Sequence, residues 1–255
     1  MSYNISYSLL REFRSYMRGE SCGLFFRAKH IDKTYVEPPA KPGTPAHAGL
    51  WFEQEATGVR HRDGVILMPE VKKDGSPTAT YAHLKGQLAN FRALGYADDI
   101  KAVGVEILTD LDGKTFKGVL DVVTSTAIRD IKTTGKIHDS FDGWGWSEKY
   151  PFACKPQADQ ARMYIWLWWR QHGEIRPFYF DVFSNMNSYE YKSIPCTMTA
   201  EAVYDFEARL IQEAALLEAE CAFGLDARPQ PMRCHKCPLA GKCEHSTHET
   251  ETINL

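Results

Sequence analysis

The segment 101–134, KAVGVEILTDLDGKTFKGVLDVVTSTAIRDIKTT, constrains the fold more than any other part of the chain. Apolar and polar residues largely alternate along it, an Asp-Gly pair interrupts it at Asp112 and Gly113, and a second break follows at Ser125. The pattern predicts strand, tight turn, strand, short turn, strand: an antiparallel meander. Helical spacing surrounds it. Ser6 to Arg18 sets Leu9, Leu10, Phe13 and Met17 on one face behind a Ser cap, and helices are expected over about 46–57, closed by Gly58, and about 81–94, closed by Gly95. Glu37 to Pro45, EPPAKPGTP, is a loop, because proline removes donors and restricts the residue before it. After the meander, 155–172 reads as a largely buried helix, 177–184 and 189–194 as strands, and 199–223 as a long helix. The order predicts an α/β chain with a central mixed β-sheet flanked by helices.

At 255 residues with 44% hydrophobic and 25% charged residues, the chain can bury its own core without disulfides, which excludes bulk disorder. Its longest strongly apolar run, Met163 to Trp169, ends at Arg170 and is too short to span a bilayer. The opening MSYNISYSLLREFRS has no basic leader followed by an apolar run, so a cytoplasmic protein without membrane association is expected. A net charge of −3 means that a nucleic-acid partner has to be held by a local basic surface. Arg11, Arg14 and Arg18 share one helical face, which is either a solvated surface or an edge that tracks phosphates.

Seven cysteines, an odd count, favour metal binding or buried thiols over a disulfide framework. Cys154, Cys196 and Cys221 lie among hydrophobic segments and are expected to be small buried side chains. Cys234, Cys237 and Cys243 are packed into CHKCPLAGKC, and Cys22 stands near the other end.

Chemistry concentrates on the meander. In Arg129-Asp130-Ile131-Lys132 the alternation of a strand sends Asp130 and Lys132 to one side and Arg129 and Ile131 to the other. On the preceding strand, GVLDVV embeds Asp121 in an apolar run, where an uncompensated carboxylate is costly. Two adjacent strands thus bring two carboxylates and a lysine to one place, a donor set suited to Mg2+ or Mn2+. Gln160 and Tyr164 lie one helical turn apart on the next helix. Glu106, also on a strand, is expected to pair with a neighbouring base. Trp144 and Trp146, in FDGWGWSEKYPF, either stack on bases of a single strand or pin their own loop. Trp166, Trp168 and Trp169 are expected in the core.

With these residues in this order, the segment from Val105 to Tyr164 resembles the PD-(D/E)XK nuclease superfamily, in the branch of RecB-type nuclease domains, Cas-type CRISPR-adaptation nucleases and their phage-encoded relatives. Asp121, Asp130 with Lys132, and Gln160 with Tyr164 match that branch's Asp, Asp/Glu-x-Lys and Gln-x-x-x-Tyr. The resemblance implies a restriction-endonuclease-like core and a metal-dependent deoxyribonuclease. It further implies an exonuclease acting on single-stranded or end-bearing DNA in recombination, repair or end processing, in a bacterial or phage-infected cell. Asp121, Asp130 and the backbone carbonyl of Ile131 would ligate Mg2+ or Mn2+. The ligand on the early helix would be Glu53, with His47 as the alternative, because the family's Gly-x-x-x-His/acid fits both Gly49 to Glu53 and Gly43 to His47. Gln160 and Tyr164 would contact the DNA backbone or hold the lysine.

The cysteines fit the same branch: Cys22, Cys234, Cys237 and Cys243 would hold a 4Fe-4S cluster joining the N- and C-terminal segments. A structural Zn2+ site, with His235, His245 and His248 nearby, is the alternative. One nuclease domain over 1–245 is therefore expected, with a core at about 46–195, cluster-binding segments at about 6–31 and 199–245, and a flexible tail at 246–255. The sequence departs from the family pattern at Leu120, where the superfamily's name has proline, and at Gly23, where relatives often have proline. Competing functional readings are a DNA-binding adaptor that no longer cleaves and a zinc-stapled interaction protein.

Overall fold

The computed structural model describes residues 3–59, 71–138, 145–146, 155–186, 189–226, 234 and 236–245. The chain divides into two compact units, 1–37 with 210–255 and 38–209.

In the larger unit the meander forms as expected. Strands β2 (Ile100–Leu111), β3 (Lys114–Thr124) and β4 (Ile128–Thr134) run antiparallel in sequence order. The β2–β3 hairpin turns at Asp112 and Gly113, both with φ near +50° to +71°, the left-handed pair that Asp-Gly tolerates. Strands β5 (Phe178–Ser184) and β6 (Tyr191–Cys196) complete the order β2-β3-β4-β5-β6. β5 lies parallel to β4 and antiparallel to β6, so the sheet is mixed. A parallel neighbour needs a long crossover. That crossover carries α5 (Pro156–His172), which starts with proline in its first turn and ends at the left-handed Gly173.

Helices flank the sheet. In α3 (Pro45–Thr57) the Thr44 hydroxyl caps the His47 amide at 3.3 Å, and the left-handed Gly58 ends the helix. α4 (Ala79–Ala93) begins earlier than the apolar spacing suggests, because Thr78 caps the Tyr81 amide. Trp51 and Phe52 of α3 and Leu84 and Phe91 of α4 pack with Val122, Ile131 and Phe183 of the sheet. α5 lays Trp166 edge-on against Phe116 of β3, with ring centroids 5.2 Å apart. This approach requires Gly118, where a Cβ would come within 2.5 Å of Leu167 Cδ1. Trp166 and Trp168 are core residues, whereas Trp169 is half-buried against Tyr204. Glu106 pairs with Lys117 across the hairpin.

The smaller unit holds β1 (Ile5–Ser6), α1 (Tyr7–Met17), the short α2 (Gly23–Phe26), a π turn at Arg27–Ile31 and the latter part of α6 (Ala200–Phe223). Leu9, Leu10, Phe13, Tyr16 and Phe26 form its buried centre. The shared face of the three arginines is largely neutralised: Arg14 makes a two-pronged contact with Glu213, at 3.1 and 2.6 Å, and Arg18 pairs with Glu20. Arg11 lies over the Tyr7 ring. Gly23 has a local cause. Its amide donates to Asp226 O at 3.1 Å, and a Cβ would lie 2.5 Å from that same oxygen, so proline could neither donate nor fit.

Cys196 and Cys221 are half-buried, not fully buried as expected, because each sits near the end of its strand or helix. Cys154 lies outside the described residues. No helix among the described residues is long and apolar enough to cross a membrane.

Candidate active site

β3 and β4 pair through Val122–Arg129 and Val123–Ile128. At the next step the Asp121 carboxylate, instead of a backbone carbonyl, accepts the Ile131 amide at 3.0 Å. A side chain thus closes the ladder, which fixes Asp121 beside Asp130. The two carboxyl groups act on each other electrostatically. Lys132, two residues along β4 on the same side, forms an ion pair with Asp130 Oδ2. From α5, Gln160 Nε2 donates to Asp130 Oδ1 at 2.8 Å. Tyr164, one turn on, packs edge-on against Phe178.

α3 completes the group. Its Gly49 passes so close to β4 that a Cβ would lie 2.8 Å from Thr133 Oγ1. Glu53 follows one turn later, and its charge couples to Lys132, Asp130 and Asp121. His47 is buried on the same helix, with its ring 6.5 Å from that of Trp51.

Electrostatics follow from burial. The Asp130 side chain is 2% exposed and that of Lys132 30%. Burial pushes Asp130 up to about 7; Lys132 opposes the shift, and Asp121 and Asp181 add to it. Burial likewise raises Glu53 to about 7, against Lys132 and with Asp130, and Asp121 to about 6, against Lys132 and with Glu53. For Lys132 burial favours the neutral amine, but Asp130 and Asp121 outweigh it and hold the ammonium well above its ordinary range. Burial, with Asp130 and Asp121, also keeps the Tyr164 phenol protonated.

Three carboxyl groups therefore act on one ammonium, and their raised pKa values reflect burial first and mutual repulsion second. Among the described residues, no three His, Cys, Asp or Glu side chains are already drawn together as a metal shell. The donor set nevertheless fits a hard divalent cation: carboxylate oxygens, a neighbouring peptide carbonyl at Ile131 and excess negative charge.

Sequence reasoning missed a second buried acid, Asp181 on β5, which is fully buried beside Ile131 in the sheet. Arg129 Nη1 contacts both of its oxygens at 3.1 Å, the Tyr96 hydroxyl donates at 2.6 Å, and Ser193 Oγ donates as well. The Arg129 guanidinium lies over the rings of Tyr96 and Tyr179, at 3.8 and 4.4 Å. The signal was present in the sequence: FYFDVF embeds an acid in an apolar run just as GVLDVV does.

Of the aromatic loop, Trp146 packs on Phe180, with centroids 5.2 Å apart, and Trp144 lies outside the described residues. Cys22 is the N-cap of α2. The Cys237 amide donates to Cys234 O at 3.1 Å and the Ala240 amide to Cys237 O at 3.0 Å, a tight turn running into the 3-10 turn Ala240–Lys242 ahead of Cys243. All four of these cysteines are half-buried. His245 lies beside Glu244; His235 and His248 lie outside the described residues.

No protein-family model matches the chain, and no curated protein does. Among solved structures, the crystal structure of a "putative exonuclease" from Eubacterium rectale aligns over 86% of this chain and 82% of its own, with a TM-score of 0.59 and 15% identity. That likeness shows a shared fold. The crystal structure of SSO0001 aligns over 63% of this chain and 67% of its own at 16% identity, with a TM-score of 0.36, too low to support an argument.

Proposed function

We propose that the protein is a metal-dependent deoxyribonuclease, an exonuclease that hydrolyses phosphodiester bonds at DNA ends. The observation that carries this reading is the assembly of Asp121, Asp130, Lys132 and Gln160 where β3 and β4 part, with Glu53 coupled to them from α3. The fold shared with the Eubacterium rectale protein agrees with it.

Asp121, Asp130, Glu53 and the Ile131 carbonyl would hold Mg2+ or Mn2+, which when bound supplies Lewis acidity toward the phosphate and lowers the pKa of an attacking water. The side chains have separate tasks. Lys132, paired with Asp130, would neutralise charge that develops on the phosphoryl oxygens, an effect strengthened in a partly dry site. Gln160 fixes the Asp130 carboxylate in one orientation through its amide. Tyr164, kept neutral, can donate its hydroxyl proton in a hydrogen bond to the DNA backbone. End-labelled single- and double-stranded DNA incubated with the protein and Mg2+ or Mn2+ tests the reading: shortening that EDTA stops supports it.

In the smaller unit, Cys22, Cys234, Cys237 and Cys243 are proposed to bind a 4Fe-4S cluster. Support comes from the half-buried thiols and the turn joining Cys234 to Cys237. Anaerobically prepared protein should be brown and contain iron with acid-labile sulphide. A colourless protein with stoichiometric zinc contradicts the cluster and favours the zinc site.

A further inference from the structure

Just past the carboxyl end of β5 lies a cavity that the proposed hydrolysis leaves unused. It has a volume of about 160 Å3 and is open to solvent. Its walls include Ala48 and Trp51 of α3, His83, Leu84 and Gln87 of α4, and Asn185 at the end of β5. Trp51 is itself backed by Tyr81, the rings 6.2 Å apart and 20° from parallel.

The lining selects among ligands. Among the described lining residues none is Lys or Arg, so no fixed side-chain cation of theirs is dedicated to an anion. The floor is aromatic and aliphatic, while Gln87 and Asn185 contribute carboxamides. Gln87 is 4% exposed and donates through Nε2 to Ser184 O at 3.2 Å, so its amide oxygen is the group that can accept. Flat apolar walls with amides at one side suit a heteroaromatic ring with hydrogen-bonding edges. Size narrows the choice: a cavity of about 150 Å3 holds one benzene-sized ring. A single nucleobase fits, and a base pair does not.

Position links the cavity to the acidic site. The Asn185 main-chain N–H donates to Thr134 O at 2.9 Å, and Thr134 lies two residues past Lys132, roughly 7 Å along the strand. Ala48 immediately precedes Gly49, where α3 meets β4. We infer that this cavity receives one unpaired nucleobase of the strand being hydrolysed, a nucleotide step from the scissile phosphate. The inference rests on the nuclease reading and deepens it, because the strand must then be single or frayed at that base.

The test uses the full-length protein and a set of single-stranded oligonucleotides, each with one abasic site at a successive position. Affinity is measured with Ca2+, and cleavage separately with Mn2+. One position near the cut should weaken binding and raise KM about tenfold, within the range for stacking one base, while other positions change little. Ala48→Leu, which fills the cavity, should flatten that profile in protein that melts like wild type; the scan itself needs no variant. Cleavage with a flat abasic profile overturns the base site alone. A position-specific penalty in binding without any cleavage overturns the hydrolytic reading alone, and absence of both binding and cleavage overturns both.

Discussion

The Ile131 main-chain amide donates to the Asp121 carboxylate at 3.0 Å, so a side chain of β3 replaces the last ladder bond to β4. This contact lets the two strands part while their acids stay together. Asp121 therefore has two duties, and substitution separates them. Asp121→Asn keeps an acceptor but removes a charge that burial disfavours, so in EDTA it should melt at or above wild type. Asp121→Ala leaves a buried amide unsatisfied and should lose about 1–3 kcal/mol in urea unfolding. Both should weaken Mn2+ binding in calorimetry.

Gly49 is the approach point of α3. A Cβ there meets Thr133 Oγ1 at 2.8 Å, so Gly49→Val should displace the helix and Glu53 with it, costing about 1–3 kcal/mol and more than tenfold in kcat. Gly49→Ala should be milder, and adding Thr133→Ala should restore part of the loss. A double-mutant cycle with no coupling between the two positions contradicts the close approach.

The pH dependence of the metal-free protein has a fixed sign. Glu53, Asp121 and Asp130 have folded pKa values of about 7, 6 and 7, above their ordinary 4.5, 3.8 and 3.8. The folded state binds protons more tightly than the unfolded state, so this contribution is full below about pH 4 and is lost as pH rises toward 7. Melting in EDTA should show that loss, and Glu53→Gln should reduce it. Mn2+ should raise the melting temperature more at pH 8 than at pH 5.5, because its ligands must be deprotonated.

Much of the fold was legible in the sequence because strand and helix periods differ so sharply around 101–134. The parallel pairing of β4 with β5 was not, since it joins segments separated by α5 and no local pattern encodes it. For the site, Asp121 stood out as an acid in an apolar run, and Asp130 with Lys132 as a same-face pair. Asp181 obeyed the same rule and went unread, because its partners Arg129, Tyr96 and Ser193 come from three other stretches of chain. Glu53 joins the two strand acids only once α3 is packed.

Smaller-unit acid stability should run the other way. Burial alone would raise Glu12, but His30 and Lys29 outweigh it and lower it to about 2, against an ordinary 4.5. Its stabilisation is present above pH 4.5 and disappears as pH falls toward 2. Glu12→Gln should therefore narrow the difference in stability between pH 5 and pH 3, measured by urea unfolding.

Asp181 is fully buried against Arg129, whose side chain is 15% exposed. Asp181→Ala strands that guanidinium and should cost about 3–5 kcal/mol. Asp181→Asn, which keeps the contacts with Tyr96 and Ser193, should cost less. Equal stability of wild type and Asp181→Ala contradicts a structural role for the pair.

The most direct test of the central claim compares wild type, Asp130→Ala and Lys132→Ala on end-labelled single-stranded, duplex and branched DNA with Mn2+ present. All three proteins should be shown to fold by thermal melting and to bind DNA in Ca2+. Wild type should shorten at least one substrate, Asp130→Ala should not, and Lys132→Ala should be abolished or slowed by orders of magnitude at nearly unchanged DNA affinity. Failure of folded wild type to cleave any of these substrates, or cleavage by Asp130→Ala at the wild-type rate, contradicts the account.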